Sequence, residues 1–383
     1  MPDEFSPIIG GRGATGEDSP IIGGRGAAGG RPELERIAGE IGGLVWRPNH
    51  VPFLSLLARA PDLDPAELLA ALGGSEPALV AVSGPRAGFL FMPASETGPL
   101  ARLAETTGHE DAERLIAPIP PEEVREAVRW IHAQIQGGGK TYPELRQGAP
   151  AAVLHSVERG SDRALHRETA LQQVLLALHR RGDLLTTLAL TGLNTSEGPY
   201  RYHLRTRLCL GPLPTPEEAY TRLASRYIHA FGPVGPRDFA VWSGLPEKVC
   251  RRAIGGVTEP LRTVAIAELG EQLLAPVSFW DRPALQEPIC RVIPWMDHWL
   301  HAYRSLDRFA AETIGAGFAA RDLALISVGA GVPAADILAV RIRLVGSARE
   351  PRLQPEPLRP LAAHEQAALQ SELERVTAAF KVR

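Results

Sequence analysis

Four cations alternate in the stretch YRYHLRTRL, which runs from Tyr200 to Leu208: Arg201, His203, Arg205 and Arg207. In a strand, residues two apart share a face, so this spacing puts all four on one side, with Tyr200, Tyr202, Leu204 and Leu208 supplying the other. A cationic strand face of that kind suits a phosphate backbone, because each phosphate contact releases bound counterions. A second set, Lys248, Arg251 and Arg252, has helical spacing on neighbouring outward positions, suited to phosphate oxygens or to plain solvation. Asp297, His298 and His301 have the side-chain types of a metal site, but two imidazoles and one carboxylate are an incomplete set, and no third histidine has suitable local spacing. They read as structural, with Asp297 capping a helix or pairing with Arg304 or Arg308. IQGGGKT has the letters of a phosphate loop, yet it follows a helix where a strand is required and lacks the spacing to a preceding glycine. It reads as a helix stop followed by an N-cap, so nucleotide hydrolysis is not expected. No metal and no cofactor are expected either.

To present these groups the chain must build helices and hairpins in a fixed order. Pro32 to Leu44 has helical spacing, Val51 to Arg59 continues it after the break at Pro48, and Asp64 to Leu72 opens another helix with Pro65 at its first position. The period then changes, and ALVAVSGPRAGFLFMP reads as two strands about a turn, followed by a helix from Ala94. After the prolines at 118 to 121 the order recurs. PPEEVREAVRWIHAQIQ is amphipathic, GGGKTYPEL ends it and opens a short helix at Thr141, and a weak helix is marked near Ala151 to Arg159. HRETALQQVLLALHRRGDL is the strongest helix of the chain, and the strands LLTTLAL and YRYHLRTRL follow, joined through Asn194 to Pro199. A third copy runs through PEEAYTRLASRYIHAF, ended by Gly232 and Pro233, then RDFAVWSGL, then PEKVCRRAIGGV, and closes with a hairpin around Gly270. Helices followed by a hairpin give the order of a winged helix, which presents its last helix to a groove. Beyond Arg291, Leu323 to Val328 and Ile337 to Val345 read as strands, a Pro-rich turn follows, and an amphipathic helix runs from His364 to Phe380.

Composition narrows the partners. With 383 residues the chain is long enough for several cores, and 44% hydrophobic against 22% charged residues is the balance of a globular protein. No apolar run approaches the roughly 20 residues of a membrane span. Cys209, Cys250 and Cys290 are far apart and show no paired spacing, which points to a reducing cytoplasm and to neither a disulfide scaffold nor a structural zinc. Lysine occurs only at positions 140, 248 and 381, so nearly all positive charge is arginine, the better bidentate phosphate ligand. A formal net charge of -3 excludes a chain coated in basic residues, so any nucleic-acid surface is local. SPIIGGRGA occurs at Ser6 to Ala14 and again at Ser19 to Ala27; glycine-rich and without aromatics, it predicts a disordered tail.

RYIHAFGPVGPRDFAVWSGL and VIPWMDHWLHAYRSLDR together carry a resemblance. Tyr227, Gly232, Pro233, Asp238, Phe239, Trp242, Ser243, Gly244 and Leu245 fit one run, and Pro294, Asp297, Leu300, Tyr303 and Arg308 fit a second. In these residues the chain resembles the winged-helix DNA-binding family that includes the AlkZ and YcaQ DNA glycosylases. The resemblance implies tandem winged helices around duplex DNA and hydrolysis of the bond between an alkylated purine and deoxyribose, by a Gln-x-Gln or Gln-x-Asp pair in the first unit. Here that stretch looks like GGLVWRPNH, with Val45 and Arg47 in place of the two polar residues, and Leu90 stands where the family's hairpin carries a histidine. Valine forms no hydrogen bond through its side chain, and a guanidinium is no base and repels a developing cation. Asn49 or His50 are the candidates to substitute.

The expected fold is α+β and mostly helical: a tail over 1–31, winged helices over 32–117, 118–212 and 213–290, and a small β-containing domain with a final helix over 291–383. The expected partner is double-stranded DNA, alkylated or not, bound by a cytoplasmic monomer through Arg47, His50, Arg201, His203, Arg205, Arg207, Lys248, Arg251 and Arg252. Three functions stay open: excision of alkylated purines, DNA binding without catalysis or in gene regulation, and a protein-interaction scaffold.

Overall fold

Several helix starts in this chain are set by threonine side chains that accept an N–H of the first turn. Thr141 accepts the amide of Glu144, whose carboxylate returns to the Thr141 amide at 2.7 Å, and Thr215 and Glu218 repeat this reciprocal cap. Pro at the first turn adds to both. In the computed structural model the described residues are 31–46, 50–61, 64, 66, 68, 72, 78–85, 88–157, 168–188, 200–208, 212–266, 271–281, 288–305, 318–319, 322–328, 336–347 and 350–381. The repeated SPIIGGRGA stretches, Arg47, Asn49, Cys209 and Arg308 lie outside them.

The first unit comprises α1 (Arg31–Glu40), β1 (Leu44–Val45), α2 (His50–Arg59), β2 (Leu79–Ser83) and β3 (Phe89–Pro93), and α3 (Thr97–Thr107) and α4 (His109–Ile116) lead out of it. The second has α5 (Pro121–Ile135), β4 (Lys140–Thr141), α6 (Tyr142–Arg146), β5 (Ser156–Val157), β6 (Glu168–Thr169), α7 (Ala170–Arg180), β7 (Leu184–Leu188), β8 (Tyr200–Leu204) and α8 (Arg205–Leu208). A third follows, with α9 (Pro216–Phe231), α10 (Pro236–Ser243), α11 (Glu247–Gly255), β9 (Leu261–Ile266) and β10 (Glu271–Pro276). Gly244 ends α10 at φ +77°, the left-handed turn that only glycine enters at no steric cost.

Strand pairing relates the three units. In each, a short extended piece after the first helix pairs with the last strand of the hairpin: β1 with β3, β4 with β8, and Val234 with Leu274 of β10. The first two hairpins are joined as well, because β2 and β7 run antiparallel with Ala81 opposite Thr186. The result is one six-stranded sheet in the order β1-β3-β2-β7-β8-β4.

The last part of the chain is an antiparallel sheet of β11 (Ile289–Pro294), β12 (Leu323–Val328), β13 (Leu338–Ser347) and β14 (Glu350–Pro357) in that order, covered by α12 (Ala363–Ala379). Sequence reasoning placed a turn where β14 lies. Pro351, Pro355 and Pro357 all occupy odd positions of this edge strand, so their missing N–H groups fall together on one side of the ladder with β13. Its sheet does not close a core of its own. Leu323, Leu325, Val340, Ile342, Val376 and Phe380 share one buried cluster with Leu34, Phe53, Leu57 and Phe91 of the first unit. No helix among the described residues is long and apolar enough to cross a membrane.

The stretch YRYHLRTRL departs from its expected form. The strand stops at Leu204, and Arg205–Leu208 turns into α8, so Arg205 and Arg207 leave the strand face. The turn is held by backbone and side chain together. The Arg205 amide donates to Asp183 O at 3.1 Å, its guanidinium pairs with Glu105 at 2.6 Å, and Arg207 donates to the Gln136 carbonyl.

Candidate functional site

The family-like slot begins where α1 turns into β1. Gly43 has φ +106°, and a Cβ there would meet Met92 Sδ at 2.8 Å and Leu90 Cβ at 3.1 Å, so backbone must approach the hairpin directly. The pairing that follows puts Leu44 opposite Phe91 and Val45 opposite Leu90. Of the three positions where the resemblance puts polar residues, 45 and 90 are thus cross-strand neighbours and both are apolar, and the third, Arg47, lies outside the described residues. Next to them the Trp46 amide donates to Phe89 O at 3.0 Å, and its buried indole meets Tyr200 edge-on, ring centroids 4.0 Å apart. That contact brings the slot up against the first residue of the cationic strand β8.

Behind β1 lies a buried polar relay. His298 contacts Gly43 O through Nδ1 at 3.2 Å and Trp242 Nε1 through Nε2 at 2.6 Å. An indole N–H only donates, so Nε2 accepts and the ring proton sits on Nδ1, where it is donated to the carbonyl that opens β1. Burial pushes this imidazole down to about 4, so it is neutral at pH 7. One residue earlier, Asp297 takes a two-pronged contact from Arg59, Nη1 to Oδ2 at 2.8 Å and Nη2 to Oδ1 at 2.9 Å, together with Ser55 Oγ at 2.6 Å and the Trp299 amide at 3.0 Å. Arg59 and Asp297 are 2% and 0% exposed, which makes this a desolvated ion pair. The side chain paired with Asp297 is thus Arg59 of α2, while the Arg304 amide donates to Asp238 at 3.3 Å. His301 contacts the Trp295 carbonyl at 2.9 Å through Nε2, and no group of metal-binding side chains forms among the described residues. Ser55 and Arg59 went unremarked in the sequence. Their signal is two polar residues four apart in HVPFLSLLAR, which is otherwise apolar after His50.

The expected DNA contacts divide by what already holds them. His50 opens α2 and is 7% exposed, with its ring 6.1 Å from that of Phe380. Arg201 donates to Gly139 O at 2.8 Å and approaches Glu144 at 3.3 Å. His203 contacts Thr187 Oγ1 at 3.0 Å, and burial, with the Arg201 charge, lowers it to about 4, so it carries no charge at neutral pH. On α11, Arg251 pairs with Glu247 and Arg252 with Glu217 at 2.8 Å, while Lys248 is exposed.

A family model described as DNA glycosylase AlkZ-like matches residues 41–379. The chain belongs to this AlkZ-like family of DNA glycosylases. Among curated proteins none matches the chain. Among solved structures it is similar to the DNA glycosylase AlkZ of Streptomyces sahachiroi, with a TM-score of 0.66 at 18% identity over 100% of this chain and 98% of that one, a likeness of fold. The two sequence runs that resemble the family turn out to pack against each other in this AlkZ-like chain. Tyr227 OH donates to Ala302 O at 2.6 Å, Tyr303 OH to Phe231 O at 2.8 Å, and Asp238 accepts both the Gly235 and the Arg304 amides. Their residues build the junction of α9, α10 and the 295–305 segment, which in turn props β1 through His298.

Proposed function

We propose that this protein binds duplex DNA at alkylated purines through three winged-helix units, and that it does so without hydrolysing the glycosidic bond by the family's polar pair, in whose place stand Val45 and Arg47. The observation that carries this is Val45 opposite Leu90. Hydrolysis needs a held water and negative or dipolar groups beside a sugar that is becoming cationic. Two apolar side chains facing each other supply neither. Three repeats of helix, short strand, helices and hairpin support the winged-helix reading, in which Lys248, Arg251 and Arg252 sit on the helix presented to a groove. A second reading, excision by a rebuilt site of Arg47, Asn49 and His50, is favoured by the family itself and by the place of these residues directly after the slot.

The test is a duplex carrying N7-methylguanine, with binding and strand breaks at abasic sites both scored, for wild type and Arg47→Ala. Binding that weakens steeply with salt, and no excision, is the expected result. Excision by wild type that Arg47→Ala loses would replace it with the second reading. Absence of salt-dependent binding would refute both.

A further inference from the structure

α5, the first helix of the second unit, carries arginines with which no described residue pairs. Arg125, Arg129, His132 and Gln136 follow one another at i, i+4, i+7 and i+11, and all four are exposed. At 100° per residue they fall within about 60° of arc, and at 1.5 Å per residue they span about 16 Å. The opposite side of the helix is the one that packs, through Ala127, Ile131 and Ile135. Neither Arg125 nor Arg129 makes an ion pair or side-chain hydrogen bond with a described residue, although Glu122 and Glu126 lie on the same helix. Arg201, Arg205, Arg207, Arg251 and Arg252 are all held by carboxylates or carbonyls of the chain itself.

That difference matters for phosphate binding. An arginine already paired must give up or share its carboxylate to reach a phosphate, whereas one facing only water exchanges water for a charge-assisted bond. The stripe also has a setting. Its C-terminal end is tied to α8, where Arg207 donates to the Gln136 carbonyl, and Arg201 donates to Gly139 O just beyond. Lys140 follows on β4, the edge of the six-stranded sheet. The sequence from 118 to 212 holds twelve Lys and Arg against nine Asp and Glu, a local surplus in a chain whose formal net charge is -3.

We infer that the outward stripe of α5, Arg125, Arg129 and His132, is a docking surface for the sugar-phosphate backbone of duplex DNA. The inference rests on the DNA-binding reading above and names where that reading places its strongest electrostatic contacts. Two arginines one turn apart, with which no described residue pairs, fit neighbouring phosphates of a backbone, and a contact of this kind is indifferent to base sequence.

The experiment measures duplex affinity between 50 and 200 mM salt for wild type, for Arg125→Gln with Arg129→Gln, and for Arg251→Gln with Arg252→Gln on α11. Loss of two phosphate contacts lowers the slope of log affinity against log salt by about 1.8, so over this fourfold salt range wild type loses about tenfold more affinity than the α5 variant. The α11 variant is expected to change the slope less. Arg129→Lys with Arg125→Lys should keep the wild-type slope, which separates charge from any effect on folding. An unchanged slope in the α5 glutamine variant, with wild type binding normally, would overturn the inference alone. Failure of wild type to bind in a salt-dependent way would overturn the DNA-binding reading along with it.

Discussion

Replacing Asp297 by Asn tests whether the relay behind β1 is held together by charge. The change is nearly isosteric, so packing stays in place, but the Arg59 guanidinium, 2% exposed, is left without a counter-charge. Removing one partner of a desolvated pair costs about 3–5 kcal/mol, most of it the cost of the stranded charge. At about 2–4 °C per kcal/mol this is a fall of roughly 6–20 °C in the unfolding midpoint. Ser55→Ala removes a single hydrogen bond to the same carboxylate and is expected to cost only about 1 kcal/mol. Pairing Asp297→Leu with Arg59→Met removes both charges and should recover part of what Asp297→Asn loses, since it strands no charge and leaves only the Ser55 hydroxyl and the Trp299 amide without this acceptor. The same site predicts an acid dependence. Burial alone would raise the Asp297 carboxyl, but the Arg59 charge and the hydrogen bonds from Arg59, Ser55 and Trp299 outweigh it and hold the carboxyl below its ordinary value. Its stabilisation is therefore complete above the unfolded carboxylate range near 4 and drains away as pH falls below it. Tryptophan fluorescence during thermal and urea unfolding reads all of these variants. An Asp297→Asn loss under 1 kcal/mol, or a double variant less stable than either single one, would refute the reasoning.

His298 should stay neutral with its proton on Nδ1 down to about pH 4, because Trp242 donates to Nε2; nitrogen NMR at pH 6 showing a doubly protonated ring would sink this assignment. A folded value below the ordinary 6.5 means its share of stability is present above pH 6.5 and is lost as pH drops toward 4. Gly108→Ala and Gly244→Ala should differ in kind. The first drives a Cβ to 2.1 Å from Arg180 O and must push α4 off α7, whereas the second meets nothing within 4 Å and carries only the left-handed backbone cost of about 1 kcal/mol. Equal losses in thermal unfolding would contradict that distinction.

What could be read from the chain was whatever local chemistry decides. The stop at Gly232, the turn at Gly244 and the hairpin of β9 and β10 each depend on residues within a few positions, and all are as the letters suggest. Leu323 to Val328 forms β12 with the bounds its apolar run marks out. Long-range choices were hidden. The partner of Asp297 lies 238 positions away, and the union of the two hairpins rests on Ala81 meeting Thr186, neither of which differs from its neighbours in type. α8 was concealed by an alternation that fits a strand, and it exists because Glu105 and the Gln136 carbonyl draw its arginines aside. Of the slot, the apolar identities of Val45 and Leu90 were visible from the start, but that they confront each other is a matter of register.

The order β1-β3-β2-β7-β8-β4 reads the same from either end once each strand is named by its place in its own unit. Two like units joined by antiparallel pairing of like strands are related by a local half-turn, the symmetry a repressor homodimer obtains by bringing two chains together. Here one chain contains both halves, so this arrangement has no dissociation constant and does not vanish on dilution. It also frees the halves to diverge. Val45 of β1 has Thr141 of β4 as its counterpart, and a substitution at one edge of this internal pseudo-dimer is not copied to the other, as it would be in a dimer of identical chains.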